Sequence, residues 1–409
     1  MPNDLFTPPR FFKEVTFHRH TDRAIGWLEL FYDLVYVATL IQIGNFLSDN
    51  DTPLGFVQFI ILMAVVWWAW TGETFYQNRY VVDDLLHRVL VFLQMFAIAS
   101  IGLSVSAAFG DLYIQFTIAY VVTRLMLVLM YARTYRAHPE SSAFARWYIV
   151  GFSAGIAIWL GSLALPEGYH WVGWLVGISV ELLVPQAPWV VKERMEWGVD
   201  MHHISERFGI FTIIVLGESF VKVLDDAQGE IIGVPEFAFS TFGLLVVYSL
   251  WWLYFEDTAG KEVHFANNLR ANCWVYGHLP LAISLVAFGV GAKKVFSNVI
   301  DKPAEAVTTE YRVLYTVSLV IFLLALALID YGLEDESTTR DQHTKVIVHI
   351  ACAGIIAFIG LVFTGLTPVT FVFLMAVVMI VQVLFSIYQT RQITNAEKLA
   401  HHEETAAAD

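Results

Sequence analysis

The chain has 409 residues, of which 57% are hydrophobic and 15% charged, with a formal net charge of −14. A soluble chain carries roughly a quarter charged residues, so an ordinary soluble domain is excluded, and the acidic balance argues against nucleic acid as a partner. The apolar residues cluster in blocks of about 20, the length that spans a bilayer core, and lipid leaves backbone amides no outside partner, so these blocks must be helices.

Residues 1–26 mix polar, aromatic and basic side chains and lack the apolar stretch of a signal peptide. They are expected to form a cytoplasmic N-terminal segment. Twelve spans are predicted after them, at 27–47, 56–76, 86–109, 112–132, 144–165, 170–191, 208–224, 237–256, 272–292, 312–330, 346–364 and 368–388. The organisation expected is a first six-helix half over 27–191, a cytoplasmic linker over 192–206, a second half over 207–390 and a cytoplasmic polar tail over 391–409. With the N-terminus inside, fourteen Lys and Arg fall in cytoplasmic loops and tails, against Lys293, Lys294 and Lys302 outside. That asymmetry places both termini in the cytoplasm of a cell-membrane protein.

The two halves carry a weak internal likeness. An offset of 184 residues puts Trp67 on Trp251, Trp68 on Trp252 and Glu73 on Asp257, and an offset of 185 puts Asp33 on Glu218. Because six spans is an even number, such halves would be parallel repeats about an axis normal to the membrane.

An ionisable residue at membrane depth marks a functional site by default, facing water or the protein interior. In chain order, Glu29 and Asp33 come first, about 3 Å and 9 Å beyond Trp27 along a helix. They are four residues apart and share a face, so a proton or a cation must compensate them, or a structural ion pair does. Glu73 ends span 2 and Asp257 ends span 8; as solvated helix ends they are unremarkable, but their recurrence suggests a paired cytoplasmic vestibule, with Asp83, Asp84, His87 and Arg88 beside it. Arg124 in "VVTRLMLVLM" demands a carboxylate, with Asp33, Glu73 and Glu29 the expected partners. Glu181 lies near mid-depth in span 6, where Pro185 and Pro188 remove backbone donors and bend or unwind the helix.

His203 and Glu206 precede span 7, share a face if helical, and are expected to cap and orient that span, with Arg207 anchoring it in the interface. One His and one Glu are too few for a metal site. Glu218 lies ten residues into span 7, in "VLGES"; Gly217 would permit close helix approach, and Ser219 would hydrogen-bond across helices. His278 and His349 could extend a proton relay, although a lone His on a helix is more often a satisfied core residue. Cys273 and Cys352 form no metal or redox pattern and read as small core residues. No cofactor is expected.

Two stretches resemble the signatures of a known family. "WLELFYDLVYV" (Trp27–Val37) has the order Trp-x-Glu-Leu-Phe-x-Asp-Leu, and "HISERFGIFTIIVLGESF" (His203–Phe220) has His-x-x-Glu-Arg-x-Gly followed by Leu-Gly-Glu-Ser. Both are similar to the low temperature requirement A (LtrA) family of mainly bacterial polytopic membrane proteins. The resemblance implies a link to growth in the cold and no particular molecular activity.

The expected function is therefore secondary transport of a small solute or ion, coupled to protons or cations through Glu29, Asp33, Glu73, Arg124, Glu181, Glu218, Asp257 and His278. The alternative is a membrane stress sensor or scaffold whose polar residues are interhelical glue. An intramembrane enzyme ranks last, since no GxSxG or HExxH occurs, and without a GxxxxGK[ST] there is no obvious ATP engine. The partners expected are membrane lipid and the solute. A homodimer is compatible with the composition, because lipid-facing and partner-facing apolar surfaces look alike.

Overall fold

The computed structural model describes residues 16–17, 25–82, 84–138, 142–196, 198–225, 233–259, 268–333 and 339–408. Thirteen α-helices run through them: α1 (Trp27–Asp49), α2 (Pro53–Arg79), α3 (Leu85–Ser104), α4 (Tyr113–Ala137), α5 (Ser142–Ser162), α6 (His170–Leu183), α7 (Pro188–Glu196), α8 (Met201–Asp225), α9 (Val234–Phe255), α10 (Asn268–Asp301), α11 (Thr309–Gly332), α12 (Thr339–Val362) and α13 (Pro368–Ala408). Extended backbone pairs only at Thr16–Phe17, antiparallel to Tyr80–Val81, among the described residues. Asp83 and most of the N-terminal segment lie outside them.

Ten of these helices, α1–α5 and α9–α13, are long and apolar enough to cross a membrane. The other two expected spans look different. The sixth is broken: α6 ends at Leu183, a single 3-10 turn covers Val184–Gln186, and α7 begins at Pro188. Pro185 and Pro188 account for the break, since neither offers an N–H to the preceding turn. The seventh lies within α8, whose apolar run is crossed by Arg207, Glu218 and Lys222. The polar tail continues α13 as helix to Ala408.

Helix starts follow local chemistry. Thr52 accepts the Gly55 N–H at 3.0 Å with Pro53 as the first residue of α2. Asp84 accepts the His87 N–H at 2.9 Å to start α3, and Asp200 accepts the His203 N–H at 3.0 Å to start α8. At α1 the Gly26 N–H donates to Glu29 Oε2 at 2.9 Å. Side-chain oxygens thus satisfy amides that the helix itself leaves bare.

The chain forms two compact units, Met1–Phe211 and Thr212–Asp409, the division falling inside α8. In the first, α1 packs on α2 and α3, α3 on α4, and α5 on α4 and α6. Its core is aromatic: Trp159 stacks on Tyr120 at 4.0 Å and lies parallel to Trp174 at 5.6 Å between ring centres. In the second unit α10 and α11 are the most extensively packed pair, followed by α11 with α12 and α9 with α13. Glycines set the α10–α11 spacing. A Cβ at Gly332 would stand 2.7 Å from the backbone of Arg270 and Trp274, and one at Gly291 3.0 Å from the Tyr315 backbone. Close backbone approach through small residues is how helices associate in lipid, where apolar burial gives little driving force.

Candidate functional site

The first unit buries two arginines. Arg207 sits in the second turn of α8 and is fully buried rather than anchored at an interface. Its Nη2 donates to Asp33 Oδ1 at 2.7 Å and its Nε to Asp33 Oδ2 at 3.1 Å, a bidentate pair. Trp70 Nε1 donates to the same Oδ1 at 2.7 Å, while the Trp70 ring stacks on Phe211 at 4.2 Å and meets Phe208 edge-on at 4.9 Å. Trp70 of α2 and Arg207 of α8 thereby close around one carboxylate from α1. Further contacts extend the cluster. Arg207 Nη1 donates to Gln77 Oε1 at 3.2 Å and lies 3.8 Å from Glu29 Oε1, and Gln77 Nε2 donates to Glu73 Oε1 at 2.9 Å.

His203 is oriented by the start of α8. Asn78 Oδ1 accepts the Asp200 N–H and Asn78 Nδ2 donates to the Asp200 carbonyl, both at 2.9 Å, which fixes the amide. That same Nδ2 lies 3.1 Å from His203 Nδ1, which must accept. The ring proton is therefore on Nε2, 3.5 Å from Glu29 Oε2. Glu206 points elsewhere: it is exposed while His203 is buried, so the two do not act together.

Glu73, expected at a solvated helix end, is fully buried. Its Oε2 has no hydrogen-bond donor. Gln94 on α3 is a neighbour of this carboxyl, and Gln94 Oε1 likewise has no donor while Nε2 donates to the Thr123 carbonyl at 3.3 Å. Glu29, Asp33 and Glu73 thus present three carboxyls to one guanidinium, and among the described residues Arg207 reaches Glu73 only through Gln77. A proton on Glu73 would both reduce the negative charge and supply a missing donor.

Arg124 makes the second cluster, and its partner corrects the expectation. It pairs with Glu181, not with Asp33, Glu73 or Glu29: Nη2 lies 2.6 Å from Glu181 Oε2. Asp33 is taken by Arg207, and the break after Leu183 leaves Glu181 in the last turn of α6, facing α4. Arg124 Nε donates to Tyr120 Oη at 2.9 Å, and Tyr120 Oη donates to Glu181 Oε2 at 2.8 Å, as does Trp68 Nε1 at 3.1 Å. The guanidinium also lies 5.0 Å from the Phe152 ring centre. Two glycines give it room, since a Cβ at Gly72 would stand 2.8 Å from Arg124 Nη1 and one at Gly155 2.5 Å from Glu181 Oε1. Nearer the ends of α3 and α4, Asp84 pairs with Arg133.

The second unit holds the other candidates. Glu218 is half-buried and interacts with Lys222 one turn on, with Lys293 also near that lysine. Ser219 makes the expected cross-helix bond, donating to the Leu285 carbonyl at 2.7 Å. The close approach is made by Gly289 rather than Gly217: a Cβ at Gly289 would stand 2.9 Å from Ser219 Cα, whereas one at Gly217 meets nothing within 4 Å. Asp257 is buried and accepts from Ser386 Oγ. His278 is buried between the Trp274 carbonyl, 2.7 Å from Nδ1, and Tyr254 Oη, 3.1 Å from Nε2. One donor and one acceptor satisfy a neutral ring.

Sequence reasoning missed Trp68, Trp70, Gln77, Gln94 and Tyr120. Trp68 entered only as a match of the internal offset and Trp70 not at all; what marks them is that their indole N–H groups, on an otherwise apolar helix, need acceptors. Among the described residues no group of three or more His, Cys, Asp or Glu is placed to hold a metal.

Ten bilayer-length helices define a multi-pass helical membrane protein. The chain belongs to the bacterial low temperature requirement A protein (LtrA) family, whose model matches residues 24–393 and so takes in both signature stretches. It is 27% identical over 281 residues to "Uncharacterized protein RA0937" of Rhizobium meliloti (strain 1021), a match covering 64% of this chain and 67% of that protein.

Proposed function

We propose that the protein is a secondary transporter of a small solute or ion, coupled to protons through Glu73 and the Arg207–Asp33 cluster around it. The observation that carries this reading is the buried Glu73 carboxyl, with one oxygen lacking a donor beside an equally bare Gln94 oxygen. A charged site of that kind favours binding a proton, and losing it changes which packing of α2 and α3 is stable. A metal cation is a poorer occupant, because hard cations take about six oxygen ligands. The Arg207–Asp33 pair holds the α1–α2–α8 corner at fixed charge, so that Glu73 is the group free to exchange. We place Glu29 and His203 at the outer edge of this cluster, and Arg124 with Glu181 as a fixed strut.

In this reading the broken α6–α7 segment and α8 bring the spans to twelve, in two parallel six-span halves, supported by the near-constant 184-residue offset. The Lys and Arg asymmetry supports both termini on the cytoplasmic side of the cell membrane. No enzymatic step is proposed.

A second reading has one observation in its favour. Asp33, Arg207, Arg124 and Glu181 are all fully buried and mutually paired, which suits a membrane stress sensor or scaffold without transport. Purified protein in liposomes separates the two. A transporter dissipates an imposed pH gradient when the right solute is supplied from a panel, and Glu73→Gln abolishes that coupling while leaving the fold intact. If no solute moves protons and wild type and Glu73→Gln behave alike, the transport reading fails and the scaffold stands.

A further inference from the structure

The second unit contains a buried polar triad that the proposed proton path does not use. Asp330 is on α11, His349 on α12 and Gln382 on α13, and each is at most 4% exposed. His349 Nε2 lies 3.0 Å from Asp330 Oδ2, and Thr258 Oγ1 donates to Asp330 Oδ1 at 3.0 Å. On the other side of the ring, Gln382 Nε2 contacts His349 Nδ1. Gln382 Oε1 is buried with no donor.

Hydrogen bonding restricts what this triad can be. An ionised Asp330 can only accept, so His349 carries a proton on Nε2. With Gln382 Nε2 donating, Nδ1 must accept, and the ring is neutral. The opposite arrangement inverts the amide, so that Oε1 faces Nδ1; this needs a second ring proton, on Nδ1. The ring is then an imidazolium donating to Gln382 on one side and to a carboxylate on the other. Each orientation of the amide therefore fits one charge state of the ring and conflicts with the other.

We infer that His349 is a proton-binding site of the second unit, and that taking up a proton at Nδ1 turns the Gln382 side-chain amide over while Asp330 supplies the counter-charge. The proton comes from a hydronium ion, whose O–H bond breaks as the Nδ1–H bond forms, leaving water. Charged and titratable groups come near the triad from several elements. Asp330 comes from α11. Asp257, in the turn after α9, holds Ser386, one turn beyond Gln382 on α13. Arg270, at the start of α10, lies over Tyr331 beside Asp330. Over 368–390 α13 has no charged residue, and the nearest on α12 are His343 and Lys345. The ligand is a proton, and the site does not depend on Glu73.

The test is nitrogen NMR of protein in lipid nanodiscs, with 15N in histidine rings and glutamine side chains, titrated between about pH 5 and 8. His349→Gln and Gln382→Met identify the two sets of signals by their loss. The expected result is a His349 ring that goes from one N–H to two as pH falls, with the Gln382 NH2 signals shifting at the same midpoint. Gln382→Glu, which accepts at either oxygen, should hold the two-N–H form across the whole range. Glu73→Gln should leave the transition where it is, whatever it does to transport. A His349 ring with one N–H at every pH, or a ring transition that leaves the Gln382 signals unmoved, overturns the assignment.

Discussion

Asp33 and Glu73 sit on adjacent helices and answer to opposite physics. Asp33 is met by three donors, two from Arg207 and one from Trp70. Replacing it with Asn keeps the shape and strands a guanidinium in the bundle; breaking a buried pair from one side costs about 3–5 kcal/mol. Asp33→Asn should therefore unfold at markedly lower temperature in detergent, followed by tryptophan fluorescence because Trp70 is at the pair. Asp33→Leu combined with Arg207→Met should recover most of the loss, since a buried pair replaced by apolar residues of similar volume is often neutral. Glu73→Gln should go the other way. The amide supplies the donor that Oε2 and the Gln94 oxygen lack, so the variant should melt at or above the wild-type temperature. A large destabilisation by Glu73→Gln would mean that Glu73 is held as a carboxylate, against its assigned role.

Among the helices, spacing matters more than sequence pattern. At Gly332 a side chain would run into α10 backbone, which cannot swing away as a side-chain tip can; at Gly277 the obstacle is Cγ1 of Ile329, at 2.7 Å. Gly332→Ala should thus cost about 1–3 kcal/mol, and clearly more than Gly277→Ala, in the same thermal assay. Such detail also marks the limit of what was legible beforehand. Ten of the twelve expected spans are bilayer-length helices and could be read from apolar block length, because lipid permits little else. The Pro185–Pro188 interruption could be read as a break, though not as the device that leaves Glu181 opposite Arg124. The need of Arg124 for a carboxylate was plain from its position, but which carboxylate was not, because four acids competed and helix neighbours are set by tertiary packing. Arg207 was misjudged for a related reason: two turns into a helix that begins with polar residues, it looks interfacial, and only the bundle around Asp33 removes it from water.

For the whole chain, the distribution of Lys and Arg makes a claim independent of any site. Single cysteines introduced at Lys302 and at Lys398, in a variant lacking Cys273 and Cys352, should react differently with a membrane-impermeant maleimide added to intact cells. Lys302 should label and Lys398 should label only after lysis. Labelling of both, or of Lys398 alone, would reverse or break the proposed orientation. The long-range pairs also bear on how the molecule is made. Arg207 lies 174 residues after the aspartate it neutralises. At about 5–20 residues per second, a ribosome needs roughly 10–35 s to deliver it. During that interval the first helix has an acid with no mate, so it should linger at the insertion channel, or under an insertion chaperone, instead of passing freely into lipid until the eighth helix emerges.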